Sequence, residues 1–271
     1  MPEVAETIRI AEDLHKENLH FLNRVDVTPL GEEWLTRKGF NPRHLTDIRN
    51  VGTNYHAFGK QIIIELRQSP HQMKCAVFDV RTPPGLLRIS LGMSGRFKLD
   101  DCLTETDRRH ILFTMHFHTG TVHFIDYRKF FQINFVTHEF LHVFSKLSLL
   151  NLDFGLLYVE PEIHIPGPTK KPKIVELLDD GKYSGIGNYL ANEGLGRAGL
   201  DPRTPFKDYS EKQYAMKTLQ GVALESYAAG GHSFNGGFIR PNGETGHFKP
   251  QVYGNEKYKR ELFRGRPIWF Q

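Results

Sequence analysis

The N-terminal part of the chain has the apolar spacing of an amphipathic helix. Val4, Ile8 and Ala11 recur at intervals of three to four residues, and charged side chains lie between them. This period matches one face of an α-helix, so we predict a helix over residues 4–18. Pro2 also suits the start of such a helix, where its missing N–H is not needed.

A second pattern, with the period of two that is typical of β-strands, runs from about residue 48 to 135. Short apolar segments alternate there with polar positions and turn residues. The segments are residues 61–66, 75–80, 86–91 and 116–124, the last of which folds back as a hairpin around Thr119 and Gly120. This pattern predicts a sandwich of two β-sheets with a helix alongside.

Helical spacing returns after about residue 136. The predicted helices cover residues 138–150, 173–179, 188–198 and a segment from Ser210 to Gly230. Ser210 and Gln213 have the spacing of a capping box at the start of the last helix. The proline-rich stretch 159–172 is predicted to be a loop, and Arg264-Gly265 is a candidate hairpin turn in the tail.

These patterns predict an α+β protein in three parts. We expect a β-sandwich with its N-terminal helix over residues 1–135, a helical part over 136–233, and a loop followed by a hairpin over 234–271. A length of 271 residues is sufficient for two modest domains. No run of about 18 apolar residues occurs, so we expect no membrane span.

Composition and charge narrow the class of protein. The acidic N-terminus lacks an apolar signal region and predicts an intracellular protein, in the cytoplasm or nucleus depending on its source. Two cysteines, Cys75 and Cys102, exclude a disulfide framework or a cysteine zinc site. Residues 247–271 contain six Lys and Arg against two Glu, and 6 − 2 = +4 equals the net charge of the whole chain. This basic, aromatic-rich tail suits nucleic acid or a solvated hairpin face equally well.

Six short motifs in a fixed order carry the chemistry of the chain. They are Met1-Pro2-Glu3 with Glu6, Gly59-Lys60, Leu91-Gly92-Met93-Ser94-Gly95, Asp126-Tyr127-Arg128-Lys129-Phe130, Leu177-Leu178-Asp179 leading into Gly185-Ile186-Gly187-Asn188-Tyr189 and Glu193, and Gly265-Arg266-Pro267-Ile268-Trp269-Phe270-Gln271. Each motif alone is weak, but together they span nearly the whole chain. In this order and spacing they resemble the formamidopyrimidine-DNA glycosylase / endonuclease VIII family.

The resemblance implies a catalytic group at the N-terminus. Pro2, exposed once Met1 is removed, would attack C1′ of a damaged nucleotide with its secondary α-amine, a group that titrates near ~7.7–8.0. Glu3 would protonate the sugar ring oxygen, and Lys60 would hold the phosphate or sugar near the lesion. Glu6 would be a supporting carboxylate, although a solvated helix carboxylate fits its position almost as well.

The resemblance also implies residues that bind damaged DNA. Met93, Arg128 and Phe130 would fill the gap left by the flipped nucleotide, although Met93 and Phe130 could instead pack in the core. Asn188 in a helix-two-turn-helix element would approach a phosphate, or simply cap its helix. Arg266 would contact phosphates from a β-hairpin finger that lacks zinc, because no cysteine follows Cys102.

We therefore expect a bifunctional DNA glycosylase and β,δ-elimination abasic-site lyase of base excision repair. Its partner would be DNA with oxidised bases, without a metal or other cofactor, and the protein would be a monomer. The preferred lesion stays open. The zincless ending favours oxidised pyrimidines and hydantoins, whereas residues 238–248 resemble a base-covering loop that favours oxidised purines.

Two alternatives remain at this point. His138-Glu139-Phe140-Leu141-His142 matches the H-E-x-x-H pattern of zinc proteases, with Glu160 or Glu162 as a third ligand. No other protease pattern accompanies it. A damage-binding protein of the same fold without turnover would keep the DNA-binding residues but would not need Pro2 or Glu3, both of which are present.

Overall fold

The fold is described from a computed structural model of the chain. The described residues are 3–68, 85–153, 156–158, 165–179, 182–232 and 238–271. Met1, Pro2, the predicted strand 75–80 and both Glu160 and Glu162 lie outside these ranges. None of the helices in the described ranges is long and apolar enough to cross a membrane.

Most of the strands precede residue 137, with short helices between them, and residues 173–228 are mainly helical. The helices are α1 (Val4–Lys16), α2 (Pro29–Arg37), α3 (Arg43–Thr46), α4 (Glu105–Arg108), α5 (His138–Ser145), α6 (Lys173–Leu177), α7 (Asn188–Arg197) and α8 (Tyr209–Ala228). The strands are β1 (Phe21–Val27), β2 (Arg49–Phe58), β3 (Gln61–Gln68), β4 (Gly85–Ser90), β5 (Gly95–Leu99), β6 (Ile111–Phe117), β7 (Thr121–Asp126), β8 (Gln132–Val136), β9 (Asn151–Asp153), β10 (Leu156–Tyr158), β11 (Lys259–Phe263) and β12 (Arg266–Phe270).

Eight strands form one antiparallel path in the order β5-β7-β6-β1-β2-β3-β4-β8. Six inter-strand steps separate β4 from β5, which is roughly 29 Å in a flat sheet. Residues 91–94 connect these two strands, and a link of that length reaches at most about 18 Å. The sheet must therefore fold over on itself, and the predicted β-sandwich is confirmed.

Helix α1 lies in the interior between the sandwich and the C-terminal helices. Val4, Ile8 and Ala11 are fully buried, as the apolar spacing predicts, and the helix contacts β2 on one side and α8 on another. The buried set also includes Glu6, which an amphipathic pattern assigns to the solvent side. The start of α1 is thus positioned between the sandwich and the C-terminal helices.

Several helix ends differ from the sequence prediction, most of them by one or two residues, and two differences have an identifiable cause. Helix α8 begins after Asp208, whose carboxylate accepts the Glu211 N–H at 2.8 Å, so the predicted capping box at Ser210 is wrong. Helix α5 ends at Ser145 rather than near residue 150, because Ser148 then pairs with Ser184 and the chain returns to β2 as strand β9. The predicted bounds of the three parts, at 135 and 233, stay predictions.

The C-terminal hairpin of β11 and β12 forms as predicted around Arg264 and Gly265. Both turn residues have positive φ, 50° and 76°, which is the requirement of a type I′ turn. Its inner side packs on α7, where Ile268 is fully buried and the Trp269 N–H donates to Asn192 Oδ1 at 2.9 Å. Hydrogen bonds and apolar contacts therefore hold the hairpin against the helical part.

Candidate active site

The carboxylate of Glu3 is buried at the N-terminus of helix α7. It accepts hydrogen bonds from the backbone N–H groups of Gly187 at 3.0 Å, Tyr189 at 3.1 Å and Leu190 at 3.2 Å. A helix N-terminus has unpaired N–H groups and a positive dipole end, so it stabilises an anionic group. Glu3, 184 residues away in sequence, fills this position instead of a local capping side chain.

Burial dominates the electrostatics of Glu3. Loss of solvent raises the pKa of this carboxyl to about 7, against the nearby Lys60 charge and the Tyr189 and Leu190 N–H groups, which lower it, while Glu6 raises it further. A carboxyl group with a pKa near neutrality is partly protonated at physiological pH. It can then act as a general acid, which an ordinary surface glutamate cannot do efficiently.

Glu6 fixes the segment that carries Glu3. One of its oxygens accepts the Glu3 N–H at 2.9 Å. The other accepts the Tyr189 hydroxyl at 3.0 Å, the Ser226 hydroxyl at 3.2 Å and the His232 N–H at 2.9 Å. Glu6 is fully buried, so the alternative of a solvated helix carboxylate is wrong.

Three glycines from two motifs allow the backbone to close around Glu3. A Cβ on Gly59 would lie 1.9 Å from Ser184 Oγ, and one on Gly185 would lie 2.6 Å from the Gly59 Cα. A Cβ on Gly187 would lie 2.1 Å from the Glu3 carboxylate. Because these close approaches need glycine, the β2–β3 turn, the loop before α7 and the N-terminus can meet at one point.

Lys60 is brought to this point by the same turn. Its Nζ lies 3.4 Å from the carbonyl oxygen of Ile186, in the loop that precedes α7. Its charge acts on Glu3, which places the two side chains in one electrostatic site. The structure therefore brings together Glu3, Glu6, Lys60 and the start of α7, while Pro2 lies outside the described residues and is covalently joined to Glu3.

Met93, Arg128 and Phe130 are on two turns at one end of the sandwich. Met93 is 44% exposed and Phe130 is 48% exposed, so the alternative that they pack in the core is wrong. The Arg128 guanidinium stacks over the Phe130 ring at 4.8 Å. The Met93 turn lies next to Lys60, because Leu91 N–H is 3.4 Å from the Lys60 carbonyl oxygen.

Asn188 and Arg266 meet at the contact between α7 and the hairpin. Asn188 is the first residue of α7 and donates its side-chain amide to the Pro267 carbonyl oxygen at 3.0 Å. Arg266 is the exposed first residue of β12, beside that contact. Since Glu3 takes the N–H groups at the start of α7, an incoming phosphate would have to use other donors.

Three buried residues of the motifs have roles that the sequence did not reveal. Glu193 is fully buried and accepts the N–H groups of Gln251, Val252 and Tyr253 at 2.7–3.0 Å. Tyr189 joins both acids, through its N–H to Glu3 and its hydroxyl to Glu6. Asp126 accepts the N–H groups of Arg128 and Phe131 and so fixes the turn that carries Arg128. Their place inside quoted motifs was the available signal, but their partners are distant in sequence.

The H-E-x-x-H segment forms helix α5 on the outside of the sandwich. His138 has a side chain 77% exposed and lies 3.8 Å from Glu65. Within the described ranges, no group of three His, Cys, Asp or Glu side chains could hold a metal ion.

Comparisons with known proteins agree with the motifs. The family model described as the formamidopyrimidine-DNA glycosylase N-terminal domain matches residues 1–133 of the sequence. A formamidopyrimidine-DNA glycosylase of Exiguobacterium sp. is 29% identical over 175 residues, which is 62% of this chain and 63% of that protein. One of Ruegeria sp. is 31% identical over 219 residues, 73% of each chain. The matched stretch is thus less than two thirds of the Exiguobacterium relative.

Two solved structures share the fold across the chain. The crystal structure of the MutM (Fpg) protein of Thermus thermophilus has a TM-score of 0.73 and 21% identity, covering 100% of this chain and 97% of that one. Lactococcus lactis Fpg, in complex with DNA containing an oxidised pyrimidine, has a TM-score of 0.70 and 18% identity, covering 99% and 97%. The Ruegeria relative, 31% identical over 73% of both chains, shows that this chain belongs to the formamidopyrimidine-DNA glycosylase family.

Proposed function

We propose that this protein is a DNA glycosylase and abasic-site lyase that removes oxidised bases with the α-amine of Pro2. The observation that carries the proposal is the burial and the raised pKa of the Glu3 carboxyl group. Glu3 follows Pro2 directly, is 2% exposed, and has a pKa of about 7 beside Lys60. Placing a protonatable carboxyl group next to a free secondary amine gives the acid and nucleophile that cleavage of an N-glycosidic bond needs.

The first steps follow from these two groups. The Pro2 nitrogen attacks C1′ with its electron pair, and the base departs with the electrons of the glycosidic bond. The proton of the Pro2 nitrogen passes to the departing base, Glu3 protonates the ring oxygen, and the C1′–oxygen bond opens with its electrons going to that oxygen. The product is an iminium ion between Pro2 and C1′, which withdraws electrons from C2′ and so promotes elimination of the 3′ and then the 5′ phosphate.

The exposed turns would deliver the damaged nucleotide to this site. A flipped nucleotide leaves a gap in the stack, and apolar side chains with a cation can fill it. Met93 and Phe130 expose the apolar surface, and Arg128 supplies the cation beside Phe130. The related Lactococcus protein was crystallised with DNA containing an oxidised pyrimidine, and we propose DNA with oxidised bases as the partner here.

Borohydride trapping tests the proposal. The full-length protein is incubated with duplex DNA carrying an oxidised base, and borohydride reduces any iminium to a stable covalent adduct. We expect an adduct with the wild type and its loss in Pro2→Gly and in protein that keeps Met1. Thr218→Ala, which removes one hydroxyl bond on the exposed side of α8, is the matched control and should trap as the wild type does.

The remaining outcomes separate the alternatives. Tight binding of the lesion without an adduct or strand cleavage, for several oxidised bases and for abasic sites, would show a binding protein without turnover. Stoichiometric zinc together with chelator-sensitive peptidase activity would show the protease. Glu3→Gln should slow base excision strongly but still trap a preformed abasic site, because the aldehyde needs no base departure.

A further inference from the structure

The two turns that carry Met93, Arg128 and Phe130 are joined beneath their surface by one buried carboxylate. We infer that Asp126 is a positioning residue that, through Ser94, makes the two turns a single unit, so that the three exposed side chains enter the DNA together. The inference rests on the proposed function, because it concerns how a damaged nucleotide is displaced before chemistry.

The hydrogen bonds of Asp126 connect both turns. Asp126 is fully buried at the end of β7. Oδ1 accepts the Arg128 N–H at 3.0 Å, and Oδ2 accepts the Phe131 N–H at 2.9 Å. The Ser94 hydroxyl, from the Met93 turn, donates to Oδ1, and the same oxygen of Ser94 accepts the Arg128 N–H at 3.1 Å. Ser94 therefore bonds to both the carboxylate and the backbone of the second turn.

The backbone of the turns is held in conformations that fix which side chains face outward. Gly92 has φ of 58°, and a Cβ there would lie 2.6 Å from the Phe130 carbonyl oxygen. Lys129 has φ of 59°, which a residue with a Cβ adopts only where its surroundings hold it. Its ammonium group donates to the Asp126 carbonyl oxygen and is buried, so Arg128 and Phe130 on either side point to solvent.

Two turns that are already held together lower the free-energy cost of inserting Met93, Arg128 and Phe130 into DNA. Ordering a mobile side chain or loop on binding costs free energy, and a surface that is already ordered avoids that cost. Met93 and Phe130 belong to turns separated by more than thirty residues. The Ser94–Asp126 bond adds a direct polar link to the close packing of Gly92 against Phe130 and so limits how far each turn can adjust separately. With the bond, insertion of one side chain positions the others.

Ser94→Ala tests the inference without burying a new polar group. The full-length protein is mixed with a duplex that carries an oxidised base opposite 2-aminopurine, whose fluorescence rises when its stacking is disturbed. We expect the rate of the rise and of base excision to fall about tenfold, since a hydrogen bond to a charged group is lost. Ser94→Thr keeps the hydroxyl and should recover most of the rate.

Two controls isolate the role of positioning. Thr119→Ala removes a hydroxyl that donates to the Asn18 carbonyl oxygen at 3.0 Å in the turn at the other end of β7, and it should leave both rates unchanged. A duplex with a baseless site opposite the lesion has no orphaned base. On that substrate Ser94→Ala should excise the lesion within about twofold of the wild type if the turns act by separating the damaged nucleotide from the base opposite it. A simple loss of stability would lower the rate on both substrates.

A mutant cycle gives the decisive result. In the wild-type background the effects of Met93→Ala and Phe130→Ala should be strongly non-additive, and in the Ser94→Ala background they should add. Equal coupling in both backgrounds, or Ser94→Ala rates equal to those of Thr119→Ala, would overturn the inference. The rise in 2-aminopurine fluorescence reports disturbed stacking and does not require cleavage of the glycosidic bond. The proposed function is tested separately, because it would fail if the wild type formed no borohydride adduct.

Discussion

Replacing Gly187 by alanine should impair catalysis by displacing Glu3 alone. Gly187 has an extended backbone, φ of −114°, that alanine adopts without strain. The new Cβ would lie 2.1 Å from Glu3 Oε1 and 2.3 Å from its carboxyl carbon. Ordinary contact begins near 3.4 Å, and 3.4 − 2.1 = 1.3 Å, so the carboxylate must move by at least that distance.

A displacement of this size breaks the geometry of the site. The three N–H groups now lie 3.0–3.2 Å from the carboxylate, and a further 1.3 Å takes them beyond hydrogen-bond distance. Misplacement of a catalytic group by about 1 Å can cost about 100-fold in rate. We therefore expect Gly187→Ala to lower the single-turnover rate of base excision by about two orders of magnitude.

The assay compares single-turnover excision in Gly187→Ala, Glu3→Gln and the double variant. Because both changes act through one carboxylate, the double variant should be no slower than Glu3→Gln. Gly221→Ala is the control, since its Cβ would meet nothing within 4 Å on the exposed side of α8, and it should stabilise the helix by about 0.5–1 kcal/mol. A folded Gly187→Ala protein with a rate within threefold of the wild type would refute the steric reasoning.

Three further predictions concern pH, the core and DNA binding. The Glu3 pKa of about 7, raised from 4.5, means that the Glu3 contribution to stability is fully present below pH 4.5 and is lost as pH rises through 7. Loss of the Glu3 proton should also oppose excision above pH 7. In Glu3→Gln the stability dependence should disappear, and the rate should keep only the dependence due to the Pro2 amine, as pH titrations of unfolding and rate would show. Lys212→Met removes the cation that pairs with the fully buried Glu176 carboxylate, which keeps only its bonds from Thr169, and should cost about 3–5 kcal/mol in urea unfolding. Lys217→Met, exposed on the same helix, should cost little, and equal losses would contradict the pairing. Arg266→Ala should weaken binding of every DNA sequence alike and reduce the slope of log K against log salt by about 1, and an unchanged slope would remove Arg266 from the phosphate contacts.

Elements defined by neighbouring residues were predictable from the sequence. Helix α1 follows from the spacing of Val4 and Ile8, and the C-terminal hairpin follows from Arg264-Gly265, because a type I′ turn depends on its own two residues. The start of α8 was missed because Asp208 and Ser210 are both good caps, and local pattern does not rank them. Helix α5 ends early because of a long-range pairing of Ser148.

The site was predictable in its members and not in its geometry. The family motifs identified Glu3, Glu6 and Lys60, and the structure brings these three together. Nothing local indicates that Glu3 caps a helix 184 residues further on, or that Gly187 is small in order to admit its carboxylate. Such contacts are made by tertiary packing, which one sequence without aligned homologues does not reveal.

The distance in sequence between Glu3 and its helix has a consequence for synthesis. Glu3 is synthesised well before the N–H groups that hold its carboxylate, because those groups belong to residues 187–190. A growing chain therefore cannot hold the Glu3 carboxylate in its final position until the start of α7 has been made. Under the proposed function, chains that lack α7 would have no assembled acid and would not excise bases.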